Sequence, residues 1–141
     1  MASGMPNDPP PRPVGHDAID GALQTPILRF QLDAEVRHLQ QQDAWWSSTG
    51  PSSTTLVKHP DLRVVLVAIR KGQCLPEHRT AARITVHVLS GHIRLHLPGG
   101  AEDLPAGQLL VLDRELRHDV EALEDSSFLL TLAWPTKENC P

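Results

Sequence analysis

Eight histidines, His16, His38, His59, His78, His87, His92, His96 and His118, are the residues best equipped for chemistry in this chain. Imidazoles can ligate a divalent metal, move protons or orient a ligand. Three of them, His87, His92 and His96, lie around Arg94 in two alternating segments, ITVHVL (84–89) and HIRLHL (92–97). Pairing across Ser90-Gly91 would set Val88 against Ile93 and Val86 against Leu95. That register puts the three imidazoles and Arg94 on one outer face. The guanidinium would repel a cation there, so a polar outer face or a subunit contact is the plainer reading.

His78 and His118 read differently. His118 shares strand parity with Val120 and Ala122, so it is expected to point inward. His78 shares a face with Thr80, Ile84, Val86 and Val88 if its strand runs on without interruption. Two neutral imidazoles hold Zn, Cu or Ni only with further ligands. Cys74 has the parity of His78 and could complete a Cys-His-His set, although Leu75-Pro76 disturbs the strand between them. Otherwise Cys74 is a small buried hydrophobe. The two histidines would then be satisfied by each other, a water or Thr80. Around them Glu77, Arg79, Arg83, Asp113, Arg114, Glu115, Arg117 and Asp119 cluster in sequence. An arginine there could hold an anion bidentately, and mutually paired solvated charges are the plainer reading. His118 and Asp119 face opposite sides of a strand and cannot form an acid–base pair. There is no G-x-S-x-G, phosphate-cradling glycine loop or C-x-x-C.

These residues need elements to position them. The chain has 141 residues, enough for one domain with a sizeable core. Residues 1–26 hold six of the 13 prolines and read as a disordered Pro-rich arm. Residues 27–53 read as a helix over about 33–45 with a connecting loop. Asp33 is its expected N-cap, and Val36, Leu39 and Trp46 form its apolar stripe. Residues 54–135 read as a barrel of short strands: 56–57, 62–69, 84–89, 92–97, 108–112, 119–123 and 127–134, separated by short turn sequences. Residues 136–141 are a tail. LRVVLVAI (62–69) and SFLLTLAW (127–134) are apolar on both faces, so each needs a second cover, from the helix or from a second copy of the chain.

The order of these segments resembles the cupin superfamily of small double-stranded β-helix barrels. Its first motif is G-x5-H-x-H-x3,4-E-x6-G, and Gly72, His78 and Gly91 fall on it. Its second is G-x5-P-x-G-x2-H-x3-N. Gly99, Pro105 and Gly107 follow its opening, with His118 further on than that spacing allows. The resemblance spans about residues 54–134. It implies an all-β, cupin-like double-stranded β-helix (jelly-roll barrel) with one N-terminal helix, and association into a homodimer. It also implies four metal ligands, and here the chain departs. The first position is His78, the second Thr80, the third Ile84 and the fourth His118, while Ala122 replaces the closing Asn. Two of four ligands remain.

Composition narrows the function. Thirteen Lys+Arg against 17 Asp+Glu give a net charge of −4, which excludes a strongly basic nucleic-acid footprint. Aromatic residues are 4% with no Tyr, so there is no stacking platform for single strands. No apolar run reaches membrane length and the opening residues lack a signal-peptide core, so a cytoplasmic chain is expected. The leading expectation is a non-enzymatic small-molecule-binding or sensor module. Its interior would be lined by His78, Thr80, Ile84, Val86, Val88, His118 and Val120, with Leu66 and Leu112. A metal-dependent cupin enzyme of dioxygenase or isomerase type is the alternative. It would use His78 and His118 as the remaining ligands of a divalent Zn, Ni, Fe or Mn ion, whereas the first reading needs no cofactor. A third is a protein-interaction module acting through the Pro-rich arm.

Overall fold

A computed structural model describes residues 26–47, 49–78 and 80–135, the side chains of Glu77 and His78 excepted. The Pro-rich arm, the C-terminal tail, Cys140 and His16 lie outside the described residues. Two helices come first, α1 (Leu32–Gln41) and α2 (Asp43–Ser47). Nine strands follow: β1 (Ser52–Lys58), β2 (Leu62–Ile69), β3 (Cys74–His78), β4 (Arg83–Ser90), β5 (His92–Leu97), β6 (Gly100–Pro105), β7 (Leu109–Leu112), β8 (His118–Ala122) and β9 (Ser126–Ala133). They form two antiparallel sheets, ordered β1-β2-β9-β4-β7 and β3-β8-β5-β6.

The two sheets face each other over one apolar core. Val67, Ile69, Ile84, Val86, Val88, Leu112 and Phe128 meet Ile93, Leu95, Leu104, Val120 and Ala122 there, all buried. Alternation produces this: odd positions in β5 and even positions in β4 and β8 carry the apolar side chains, and the intervening polar ones face out.

The Ser90-Gly91 turn is not the expected hairpin. β4 pairs with β7 and β9, whereas β5 pairs with β6 and β8, so the chain crosses from one sheet to the other at Gly91. Val86 and Val88 thus face Ile93 and Leu95 across the core instead of lying beside them. Gly91 makes the crossing possible. Its φ is +84°, and a Cβ there would overlap Ser126 and the Asp125 carbonyl. The Ser126 hydroxyl accepts from the His92 N–H at 2.9 Å and donates to the Glu124 carbonyl at 2.7 Å. The hydroxyls of Ser90 and Ser127 meet at 2.7 Å.

The helical cover also differs from its expected form. The chain is extended at Gln42 (φ −80°, ψ 148°), which splits the expected helix in two. The cap position is Gln31; Asp33 sits inside the first turn and accepts from the Ala34 N–H. The break changes the helical phase, so Trp45 turns inward while Trp46 is 70% exposed. Leu39 and Trp45 pack on Leu56, Leu66 and Ala68, with Val64 and Leu129 beside them. The helices therefore cover the outer faces of β2 and part of β9. The Arg70 guanidinium fastens this cover, donating from Nη1 to the carbonyls of Trp45 (3.2 Å) and Trp46 (2.9 Å) and lying over the Trp46 ring. Arg70→Ala is expected to cost about 1 kcal/mol, the worth of a partly exposed charge-assisted hydrogen bond. Hydrogen exchange should quicken in α1 and α2 and stay unchanged in β5 and β8.

β6 is additional to the expected strands, the run expected from Cys74 through Val88 is two strands in different sheets, β3 and β4, and β1 begins at Ser52, two residues ahead of the expected barrel start. Among the described residues, no helix is long and apolar enough to cross a membrane.

Candidate functional site

The strand registers locate one end of the core. Ile84 pairs with Leu112 on one side and Leu132 on the other, while Val88 pairs with Phe128 at the opposite end of β4. Residues 113–117 join the Leu112 end of β7 to His118, the first residue of β8. Ile84, Leu112, Leu132 and His118 therefore gather at one end of the sandwich, with Leu116 and Leu75 partly buried against the core. The other end is closed by Phe128, Val88, Ile93 and Ala122, all fully or almost fully buried.

His118 is inside, 4% exposed. Its Nδ1 lies 3.0 Å from the Leu116 carbonyl, which can only accept, so Nδ1 carries the proton in the neutral ring. The lone pair then sits on Nε2. His78 pairs through its backbone with His118 at the end of β3, which brings the two positions together in register. Thr80 does not continue that strand. It lies in the connection to β4, where its hydroxyl accepts from the Ala82 N–H (3.2 Å) and its carbonyl accepts from the Glu115 N–H (2.8 Å). Position 78 is thus on one sheet and Ile84 on the other, so the single continuous face expected for 78–88 does not exist. Ile84, Val86, Val88, Leu112 and Val120 are core residues, and Val88 belongs to the closed end. Leu66 lies on the opposite face of its sheet, under the helices, and lines nothing inside.

Cys74 is exposed, contrary to the expectation of a buried hydrophobe. It pairs with Glu121 on the outer side of the sheet, and the register slips by one residue between Leu75 and His78. That slip breaks the parity on which a Cys-His-His set depended.

The outer cluster does not assemble as expected either. His87 lies on the β4 sheet, whereas His92, Arg94 and His96 lie on β5 in the other. The β5 residues form a ladder with carboxylates. Arg94 grips Asp103 through Nε (2.6 Å) and Nη2 (3.2 Å), and His96 Nε2 meets Glu121 at 3.0 Å. Hydrogen bonding to Arg94 holds the Asp103 carboxyl below its usual range and raises the guanidinium in turn. Asp113 likewise pairs with Arg83 at 3.0 Å, so part of the expected charge cluster is solvated ion pairing. His38 and His59 are exposed, as expected of surface residues.

The loop before His118 also revises the motif alignment. Glu115 has φ +64°, the one non-glycine residue with positive φ among those described. Counting G-x5-P-x-G-x2-H-x3-N from Gly107 places Asp113 at the Pro position, Glu115 at the Gly position, His118 at the His and Ala122 at the Asn. The spacing then fits without excess, and a glycine-type backbone persists where the glycine is gone. The start at Gly99 matched residue types and missed this register. Glu115→Gly is expected to stabilise the chain by up to about 1 kcal/mol, relief of the left-handed strain minus the added chain entropy. Urea unfolding would measure it, and a loss of stability would show that the Glu115 side chain holds the loop.

The donor set for a metal falls short. Ile84 offers no donor, the Thr80 hydroxyl is turned to the backbone, and His118 offers one nitrogen. By residue type, His78 would raise the donors at the motif's four positions to two nitrogens, where a protein site ordinarily needs at least three ligands. Among the described residues, no three His, Cys, Asp or Glu side chains gather as a possible metal site.

No family model matches the chain, and no curated protein matches its sequence. Solved structures do match. A protein of unknown function from Streptococcus pyogenes is 26% identical, the match covering 64% of this chain and 79% of that one, with a TM-score of 0.60. A cupin 2 conserved barrel domain protein from Leptotrichia buccalis is 27% identical over 62% of this chain and 42% of its own, with a TM-score of 0.58. A cupin superfamily protein from Desulfitobacterium hafniense shares 14% identity over 59% and 76%, with a TM-score of 0.57.

Proposed function

We propose, on the premise that this chain has the cupin fold, that it is a non-enzymatic small-molecule-binding module acting without a metal. The observation that carries the reading is Ile84. It stands at a ligand position of the family motif and is buried among Val86, Leu112 and Leu132. An apolar side chain there replaces coordination chemistry with a surface that favours apolar ligand atoms. His118 supplies the polar contact. Its Nδ1 donates to the Leu116 carbonyl, which fixes the ring at this end of the core, and an imidazole held there suits a ligand carrying a hydroxyl or amide group. Entry is at the Ile84–Leu112–His118 end, because the opposite end is filled by Phe128 and its neighbours. Catalysis on a fold of this kind is not implied by the fold itself, and the donor-poor interior disfavours the dioxygenase or isomerase alternative.

The test is a ligand-observed NMR screen of chelator-treated protein with small apolar alcohols and amides, followed by amide shift mapping. Binders are expected to shift Ile84, Leu112 and His118 and to weaken at least tenfold in His118→Leu. Binding that appears only after a divalent metal is added would favour the enzyme alternative. Binders that map outside this end would overturn the proposal.

A further inference from the structure

A single row of residues crosses all five strands of the larger sheet at the Ile84–Leu112–His118 end. The registers set Lys58 opposite Arg63, Arg63 opposite Leu132, Leu132 opposite Ile84 and Ile84 opposite Leu112. Directly opposed residues share a face of the sheet. Arg63 therefore stands on the inner side with Ile84, two strands away, roughly 10 Å between backbones at the usual strand spacing. Val65 and Leu130, the next inward pair along β2 and β9, are partly buried against the core. A cation thus borders the apolar end of the interior.

This cation is held in place but not matched. The Arg63 guanidinium lies over the Trp134 ring, 5.4 Å from its centroid, and stacking on an indole fixes the planar group. Its Nε is buried and meets no acceptor. Among the described residues, Arg37, Arg83 and Arg94 are each paired with an aspartate, whereas no carboxylate forms an ion pair with Arg63 or its strand neighbour Lys58. Asp61, whose carbonyl accepts from the Trp134 N–H, is itself exposed. A buried donor without an acceptor is costly to keep, and a partly desolvated cation is stabilised by an anion.

We propose that Arg63 sets ligand specificity at this end, and that the small molecule taken there is an apolar carboxylic acid bound as its carboxylate. The inference rests on the binding reading above and names its ligand class. The carboxylate matches the guanidinium fork bidentately, and the hydrocarbon lies along Leu132 and Ile84. Lys58, one strand further out and exposed, adds a screened charge that favours the approach of an anion.

Calorimetric titration of the full chain with hexanoate, hexanamide and hexyl phosphate, followed by amide shift mapping, tests this. Hexanoate should bind about tenfold or more tighter than hexanamide, as a charge-assisted hydrogen bond implies, and should shift Arg63, Ile84 and Leu112. In Arg63→Gln that preference should vanish while hexanamide binding is kept, and Arg63→Lys should retain part of it. Melting temperatures check that both variants fold, and the wild-type comparison needs neither. Equal affinity for hexanoate and hexanamide at this end, or a preference that survives Arg63→Gln, overturns the inference and leaves the binding reading standing. Hexyl phosphate binding tighter than hexanoate overturns the choice of a carboxylate. Probes that all fail to bind at this end overturn the inference together with the reading it rests on.

Discussion

Gly91→Ala is expected to destabilise the chain by about 3–5 kcal/mol, combining a left-handed backbone penalty with overlap in a packed crossing. The added methyl would meet the Ser126 backbone and hydroxyl and the Asp125 carbonyl, none of which is the free end of a flexible side chain. Relief would require β9 to move away from the β4–β5 crossing. That would break the contacts of Ser126 with His92 and of Ser90 with Ser127. Gly72 supplies the control. Its φ is +87°, nearly that of Gly91, but a Cβ there meets nothing within 4 Å. Gly72→Ala should therefore cost only the backbone share, about 1–2 kcal/mol. Urea unfolding of the pair separates strain from crowding. Equal losses in the two variants would mean that the crossing is not tight.

Ile84→Glu is expected to cost about 3–5 kcal/mol at neutral pH, the range for an uncompensated buried charge. Burial favours the neutral carboxyl, so the folded variant's pKa rises above its unfolded value. The sign follows from linkage. The deficit is small where both states are protonated and grows as pH rises through the unfolded pKa, levelling off above the folded one. Unfolding at acid and neutral pH should show this trend. A variant as stable as the wild type at neutral pH would mean that position 84 faces water, and the apolar interior would have to be abandoned.

Much of the fold was legible because alternation reports facing. Ile84, Val86, Val88, Ile93, Leu95, His118, Val120 and Ala122, all expected inward, are buried, and Leu97 is half-buried against the same core. Alternation does not report pairing, however. Val86 and Ile93 bury the same faces whether their strands lie side by side or in opposed sheets, so the Ser90-Gly91 hairpin was indistinguishable from a crossing. β6 was not visible because GAEDLP carries a single buried residue, Leu104, and no alternation. Helical periodicity selects Trp46 instead of Trp45 because it assumes an unbroken helix, and Gln42 breaks it.

The site was legible in part. His118 was read as inward, and its burial follows from the parity of β8. The alignment around it failed because Pro105 and Gly107 matched by type, whereas Asp113 and Glu115 hold the motif's spacing with changed residues. The φ of Glu115 restores the register, and no residue type announces a backbone angle. Parity does not relate Cys74 to His78, because the strand between them slips by one residue between Leu75 and His78.

The proposed function rests on an apolar side chain, Ile84, standing where the family motif would place a metal ligand. Elemental analysis of protein purified without chelator tests it most directly, comparing wild type with His78→Ala and His118→Ala. The account predicts metal well below one equivalent in all three. Near-stoichiometric metal in the wild type, lost in both variants, would contradict it.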